Sequence, residues 1–356
     1  MNSTVNYTKS SFIIDVIKDP FRKSIIQIIK ELITLTVLHK EIPGHYFSGY
    51  LYKKDVSQVE NYLPLKRAGK IVPGLNDQKL KEVLDNKLYF NLFYGQFNIK
   101  IPKIVMFNHG NTFCRNNESF RILNVDDFVF RLRELFTLNS SMDSVFIKKT
   151  YASSKGTDIY KINSDEVFIN DKIQGIYLDV IRSEYVFQET IIQHSVINQL
   201  NTSSVNTIRM DTLLDNDGKV HVLSGYMRMS LKDHYVDNIS RGGAMAIVDL
   251  NSGTLKKYAY PGFKNSGTKL LTKHPKTGTV FEGFKLPYIK EAIDLVSRAA
   301  LLMPGLRIIG WDVAISTTGP VIVEGNSDYA IRVNDQAYGG YLAHPVFRAI
   351  LDENHL

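Results

Sequence analysis

Two carboxylates and one side-chain amide, Asp312, Glu324 and Asn326, fall in a short segment where apolar runs flank a polar turn. The pattern predicts a β-hairpin with its turn near Thr318, which sets Asp312 opposite Glu324 and places Asn326 on the same side. Opposed carboxylates repel unless a cation lies between them, and oxygen ligands suit Mg²⁺ or Mn²⁺. The alternative is a solvated hairpin face with incidental acids. The apolar flanking runs favour the metal site.

A lysine, Lys148, ends an apolar run and is followed by a loop of small residues. A lysine at the end of a buried strand can reach a phosphate as a fixed point charge. The loop residues Ser153, Ser154 and Gly156 can offer backbone N–H groups to other phosphate oxygens. An ordinary strand end followed by a turn gives the same pattern, so this signal alone does not decide.

The polar pair Gln188 and Glu189 interrupts another apolar run, which continues to Ile191. Such a segment can read an adenine edge through its backbone groups while apolar side chains line the ring. An ordinary strand without a ligand is equally consistent with this residue pattern.

Two arginines, Arg209 and Arg228, alternate with apolar neighbours, which predicts that they project from a sheet face into a cleft. Buried arginines need an anionic partner. A protein carboxylate and a bound phosphate satisfy that need equally, and the sequence does not choose. Further candidates for substrate contact follow in a loop: Asn238, Arg241, Gly242 and Gly243.

The elements that position these residues mix helices with antiparallel strands, which predicts an α+β protein with a cleft. Helical spacing covers 24–39, 77–93, 126–138 and 287–303, and strand-like runs include 104–107, 144–147 and 159–162. We expect a mainly helical region at 1–103, a small subdomain with the phosphate loop at 104–190, and a subdomain with the metal site at 191–356.

Composition excludes several classes of protein. The 356 residues carry a net charge of +7 without a long basic run, so a nucleic-acid groove is disfavoured. The single cysteine, Cys114, allows no internal disulfide and favours the cytoplasm. The most apolar stretch, 25–38, contains Lys30 and Glu31, which predicts an amphipathic helix and no transmembrane segment. A weak peripheral membrane contact and a homodimer both stay open.

Taken in order, these segments resemble the ATP-grasp superfamily, which implies two α+β subdomains gripping ATP. The likeness is strongest to the sugar-transfer-associated proteins linked to polysaccharide gene clusters, and ribosomal-protein glutamate ligases are also similar. The segments that carry it, with Lys87 preceding the rest, are 85–88, 146–148, 188–189, 206–209, 238–243, 310–312 and 324–326.

The resemblance implies a role for each candidate. Lys87 and Lys148 hold the α- and β-phosphates, and residues 153–156 and 188–191 complete the ATP site. Asp312, Glu324 and Asn326 hold the metal ions. Arg209 and Arg228 stabilise the transferred group and the oxyanion.

The implied activity is a carboxylate–amine ligase that forms an amide through an acyl phosphate. By family analogy its substrates are an amino acid and an amino sugar or sugar acid, used in capsule or O-antigen assembly. A sugar or small-molecule kinase with the same ATP site and a nucleotide-binding protein without turnover are the alternatives. Replacing Asp312 or Glu324 by alanine is expected to abolish turnover and to leave the fold intact.

Overall fold

The computed structural model describes residues 9–151, 159–231, 242–261 and 269–356, with side chains from Ile14 onward. The chain forms two compact units. The smaller unit comprises Lys81–Ile192 and Val321–Gly325. The larger unit comprises Met1–Leu80, Gln193–Pro320 and Asn326–Leu356. The three-part division expected from the sequence stays a prediction.

The smaller unit contains a six-stranded sheet in the order β3-β2-β1-β6-β4-β5, with neighbouring strands antiparallel. The strands are β1 Ile104–His109, β2 Thr112–Arg115, β3 Glu118–Arg121, β4 Ser144–Lys149, β5 Ile159–Asn163 and β6 Glu184–Glu189. The helices are Lys81–Asp85, Lys87–Tyr94, Val125–Leu138 and Asp171–Val180, with short 3₁₀ turns at Gly95–Phe97 and Ser164–Glu166. Its apolar core joins strand residues such as Phe187 to helix residues such as Phe128.

One helix differs from its prediction. The pattern over 77–93 predicts a continuous helix, whereas the structure has two, Lys81–Asp85 and Lys87–Tyr94. Asn86 separates them, because its side-chain oxygen accepts the N–H groups of Leu88 and Tyr89 at 3.0 and 3.2 Å. A residue that caps the following helix has a non-helical backbone, so Asn86 interrupts the predicted helix.

The larger unit carries the strands β7 Thr207–Leu214, β8 Val220–Ser230, β9 Gly243–Asp249, β10 Thr254–Pro261 and β11 Ile308–Ser316. The last strand, β12 Gly319–Asn326, includes the segment assigned to the smaller unit. The sheet order is β10-β9-β8-β7-β11-β12. The turns after β7 and β9 contain Gly218 and Gly253 with φ of +77° and +67°, a conformation that favours glycine.

Among its described residues, the larger unit also contains eight helices. They are Lys9–Lys18, Ile25–His39, His45–Ser48, Leu65–Leu75, Ser195–Asn198, Ile289–Leu301, Ile331–Tyr338 and Pro345–Glu353, with 3₁₀ turns at Val59–Asn61 and Tyr341–Ala343. Ser24 starts the second of these by accepting the N–H of Gln27 at 3.1 Å.

Two antiparallel sheets with helices confirm the predicted α+β class. In the described part of the chain, no helix is both long and apolar enough to cross a membrane.

Candidate functional site

Arg209, Arg228 and Asp312 form one buried ionic cluster in the larger unit. Arg209 on β7 lies directly opposite Asp312 on β11 in the strand register. Its Nε donates to Oδ1 of Asp312 at 2.5 Å and its Nη2 donates to Oδ2 at 3.0 Å. Arg228 on β8 donates from Nη1 to the same Oδ2 at 2.6 Å. A protein carboxylate is therefore a partner of both arginines.

Burial favours this pairing, because the strands exclude almost all water from the three charged side chains. All residues of β7 and β11 are buried, and Asp312 is only 2% exposed. Burial alone would lower the pKa of Arg209, but the Asp312 carboxylate outweighs it and raises that pKa above its ordinary value. The ring of Tyr329 lies 5.8 Å from the guanidinium carbon of Arg209 and adds a cation–π contact.

A second buried acid, Asp211, lies two residues after Arg209 on the same strand. It accepts hydrogen bonds from Ser224 at 2.8 Å, from Tyr329 at 3.3 Å and from the hydroxyl of Tyr341. Burial raises its pKa, and these bonds oppose the rise. Sequence reasoning missed this network. The available signal was an acid two positions from Arg209 in an otherwise apolar run.

Asn326 and Gly310 meet at the start of β11 and the end of β12. Asn326 donates from Nδ2 to the carbonyl oxygen of Gly310 at 3.1 Å, so this bond uses its nitrogen and not its oxygen. A Cβ at Gly310 would stand 3.1 Å from the ring of Tyr329. A glycine at 310 therefore keeps room for the tyrosine that contacts Arg209.

Lys148 and Lys87 bring two positive charges together in the smaller unit. Lys148 lies on β4, and the backbone N–H of Lys87 donates to Thr150 just beyond that strand at 2.9 Å. Burial and the charge of Lys87 together lower the pKa of Lys148 to about 8, although Glu324 opposes both. Like charges held close together in a partly desolvated place suit an anionic ligand.

The predicted adenine linker lies on and after β6. Gln188 is buried and pairs with Phe146 of β4, whereas Glu189 is exposed. The N–H of Glu189 donates to the carbonyl of Lys103 at 3.0 Å. Ile191 follows the strand and is half-buried.

Several predicted residues lie outside the described residues: Ser153, Ser154, Gly156, Asn238 and Arg241. Their neighbours Gly242 and Gly243 are described. Gly242 has φ of +94°, and Gly243 begins β9 opposite Ser230.

Asp312, Glu324 and Asn326 offer the oxygen atoms that a hard cation prefers. The carboxylate oxygens of Asp312, however, also accept hydrogen bonds from the two arginines. Carboxylate and amide oxygens are what Mg²⁺ binds, and a carboxylate offers about four acceptor sites. Arginine N–H groups take three of those at Asp312. Across the described ranges, no three His, Cys, Asp or Glu side chains are grouped to hold a metal ion.

Comparison with protein families matches residues 66–348 to the family described as sugar-transfer associated ATP-grasp. The chain belongs to this family. The predicted ATP-grasp fold is thereby confirmed, because the match takes in β1 to β12. A search of curated proteins found no match.

Solved structures of low sequence identity are also similar to the chain. The ADP complex of an N5-carboxyaminoimidazole ribonucleotide synthetase is 10% identical, with a TM-score of 0.39 over 72% of this chain and 48% of that one. D-alanyl-alanine synthetase A from Vibrio cholerae is 14% identical, with a TM-score of 0.38 over 77% and 61%. The chain thus spans between about half and three fifths of these two proteins.

Proposed function

We propose that the chain is an ATP-dependent carboxylate–amine ligase that releases ADP. ATP-grasp proteins bind ATP, and the family match supports that part of the proposal. The observation that carries it to particular residues is the proximity of Lys148 and Lys87, because burial and the charge of Lys87 both lower the pKa of Lys148. A polyphosphate would relieve this repulsion, so we assign the α- and β-phosphates to these two lysines.

The remaining ATP contacts follow from the resemblance. Ser153, Ser154 and Gly156 would offer N–H groups to the phosphates. Gln188, Glu189 and Ile191 would line the adenine. Because the N–H of Glu189 is bonded to Lys103, we assign the reading of the adenine edge to the peptide groups of residues 190–192.

Asp312, Glu324 and Asn326 are proposed to hold one or two Mg²⁺ or Mn²⁺ ions. When bound, such an ion neutralises charge on the β- and γ-phosphates. Asp312 also holds Arg209 and Arg228 in place, since both arginines bond to its oxygens. It therefore positions the arginines as well as contributing its proposed metal contact.

The proposed reaction needs positioned positive charge more than a protein nucleophile. The γ-phosphoryl group passes to a substrate carboxylate oxygen, and ADP leaves. An amine then attacks the acyl carbon, and phosphate departs with one former carboxylate oxygen. Arg209 and Arg228 would stabilise the transferred group and the tetrahedral oxyanion.

The substrates are proposed from the family description alone. Its sugar-transfer association supports an amino acid joined to an amino sugar or sugar acid in polysaccharide assembly. Asn238, Arg241, Gly242 and Gly243 are the proposed substrate contacts.

The test is nucleotide product analysis with a panel of sugar acids, amino acids and amino sugars. We expect ADP and phosphate only when a carboxylate and an amine are both present. Formation of AMP and pyrophosphate would overturn the acyl-phosphate route. A stable phosphorylated product without the amine would identify a kinase, and tight ATP binding without turnover would identify a nucleotide-binding protein.

A further inference from the structure

The helix Ile25–His39 carries an apolar stripe on its outward side. Its members, Ile26, Ile29, Ile33 and Val37, are 81%, 51%, 60% and 74% exposed. At 3.6 residues per turn they fall within about 80° of the helix circumference. We call these four residues the outer stripe. Other exposed apolar residues nearby in the chain are Ile14, Ile17, Phe21, Ile25, Leu38 and Ile42.

A different side of the same helix attaches it to the larger unit. Ile28 and Leu35 are buried in an apolar cluster with Tyr46 and Tyr52. A helix that packs on a core usually has one apolar side and a polar outward side. This helix has two apolar sides, and a contiguous exposed apolar patch is typical of an interaction surface.

The charges around the outer stripe differ in their contacts. Three acids of this region are engaged by groups of the protein itself. Asp19 pairs with Lys53, and Glu31 pairs with Lys23 at 2.8 Å. Glu41 accepts the backbone N–H groups of residues 65 and 66 at 2.6 and 3.2 Å.

The exposed charges of the same region are mainly basic. Over residues 14–60, the exposed basic side chains are Lys18, Lys30, Lys40 and Lys54, and the exposed acids are Asp55 and Glu60. Lys30 lies on the helix itself, beside the outer stripe. On the helix Ile25–His39 itself, Lys30 is the one exposed charged residue beside the exposed isoleucine and valine side chains.

We propose that the outer stripe and these lysines form a peripheral binding surface for an anionic lipid bilayer. Apolar side chains on an interfacial helix enter the acyl boundary, and lysines at its border bind acidic headgroups. A second copy of the chain fits less well. A two-fold interface would place the same patch on itself and bring Lys30 near its own copy.

The test is co-sedimentation of the full chain with vesicles of phosphatidylglycerol and phosphatidylcholine in equal parts, and with phosphatidylcholine alone. We expect binding to the anionic vesicles that weakens with added salt. The variant Ile29→Ser/Ile33→Ser should bind at least about tenfold more weakly. The control Val280→Ser/Leu301→Ser changes two other exposed apolar residues and should bind like the unmodified chain.

The contribution of the lysines is tested with the variant Lys18→Glu/Lys30→Glu/Lys40→Glu, which should lose binding to the anionic vesicles. Thermal unfolding checks that every variant folds, as expected for exposed positions. Three outcomes would overturn the proposal: no vesicle binding by the unmodified chain, equal binding by stripe and control variants, or a dimer in sedimentation equilibrium that the stripe variant alone dissociates.

Discussion

Replacing Asp312 by asparagine keeps the shape of the side chain and removes its charge. Arg209 and Arg228 would then stay in the sheet without the carboxylate that receives their three N–H groups. The side chains are only 3% exposed at Asp312, 11% at Arg209 and 14% at Arg228, so water cannot replace the lost partner.

The expected cost is large for one substitution. Removing one partner of a buried ion pair destabilises by about 3–5 kcal/mol. Asparagine keeps one oxygen acceptor, so we expect the lower end, about 3 kcal/mol. That is a substantial fraction of the stability of an ordinary domain, which is about 5–15 kcal/mol.

The chain contains its own probe for this measurement. Trp311 is the only tryptophan, is fully buried next to Asp312 on β11, and donates to Thr212 at 2.9 Å. Its fluorescence during urea unfolding therefore reports on the larger unit. The matched control is Asp217→Asn, the same change at an exposed turn position of the same unit, expected to lie within about 0.5 kcal/mol of the unmodified chain.

A double-mutant cycle with Arg209→Met tests whether the ion pair causes the loss. The double variant should lose less stability than the sum of the two single variants, because removing both charges leaves fewer unpaired groups. If Asp312→Asn unfolds at the same urea concentration as Asp217→Asn, the reasoning is refuted.

The bonds from the two arginines to Asp312 affect which variants can test the proposed metal site. The sequence alone leads us to expect that Asp312→Ala abolishes turnover and leaves the fold intact. The two arginine bonds indicate that this variant also destabilises the larger unit. Glu324 is half-buried, and Glu324→Gln is therefore the second variant for metal binding, with urea unfolding measured beside turnover.

Three further predictions follow from individual contacts. Lys148→Met should weaken ATP binding by about tenfold or more, because a charge-assisted phosphate contact is lost; Lys149→Met is the control, and calorimetry giving equal affinities would contradict the assignment. Tyr341→Phe removes the hydroxyl that donates to buried Asp211 and should cost about 1–3 kcal/mol in urea unfolding; an unchanged midpoint would argue against the network. Burial raises the pKa of Asp335 from 3.8 to about 7, so the folded chain retains a proton that the unfolded chain releases. Stability from this group should therefore fall as pH rises from about 4 to about 7, and Asp335→Asn should lack that fall when unfolding is followed across the same pH range.

Periodicity was sufficient to predict the elements that carry the candidate site. The helix at 24–39 is found at Ile25–His39, and the strand at 144–147 is found at Ser144–Lys149. The hairpin predicted around Thr318 is found as β11 and β12. These segments have clear apolar spacing, and local capping or turn residues define their ends.

The sequence alone did not predict which distant segments contact each other. Alternation predicted that Arg209 and Arg228 are buried, but the choice between a carboxylate and a phosphate depends on which strand lies beside β7. That strand is β11, about a hundred residues later, and its register brings Asp312 to Arg209. The proximity of Lys87 to Lys148 depends equally on tertiary structure.

Some expectations stay predictions. The cytoplasmic location rests on the single Cys114. Homodimerisation and the absence of a nucleic-acid partner rest on composition and patterning. The phosphate loop at residues 153–156 lies outside the described residues.

The most direct test of the central claim follows oxygen atoms through the reaction. The chain is incubated with ATP, Mg²⁺, an amine and a carboxylate substrate whose carboxyl oxygens carry a heavy-oxygen label, and the released phosphate is analysed by mass spectrometry. Transfer through an acyl phosphate predicts one labelled oxygen in each phosphate and unlabelled ADP. Amide formation with unlabelled phosphate would contradict the proposed reaction.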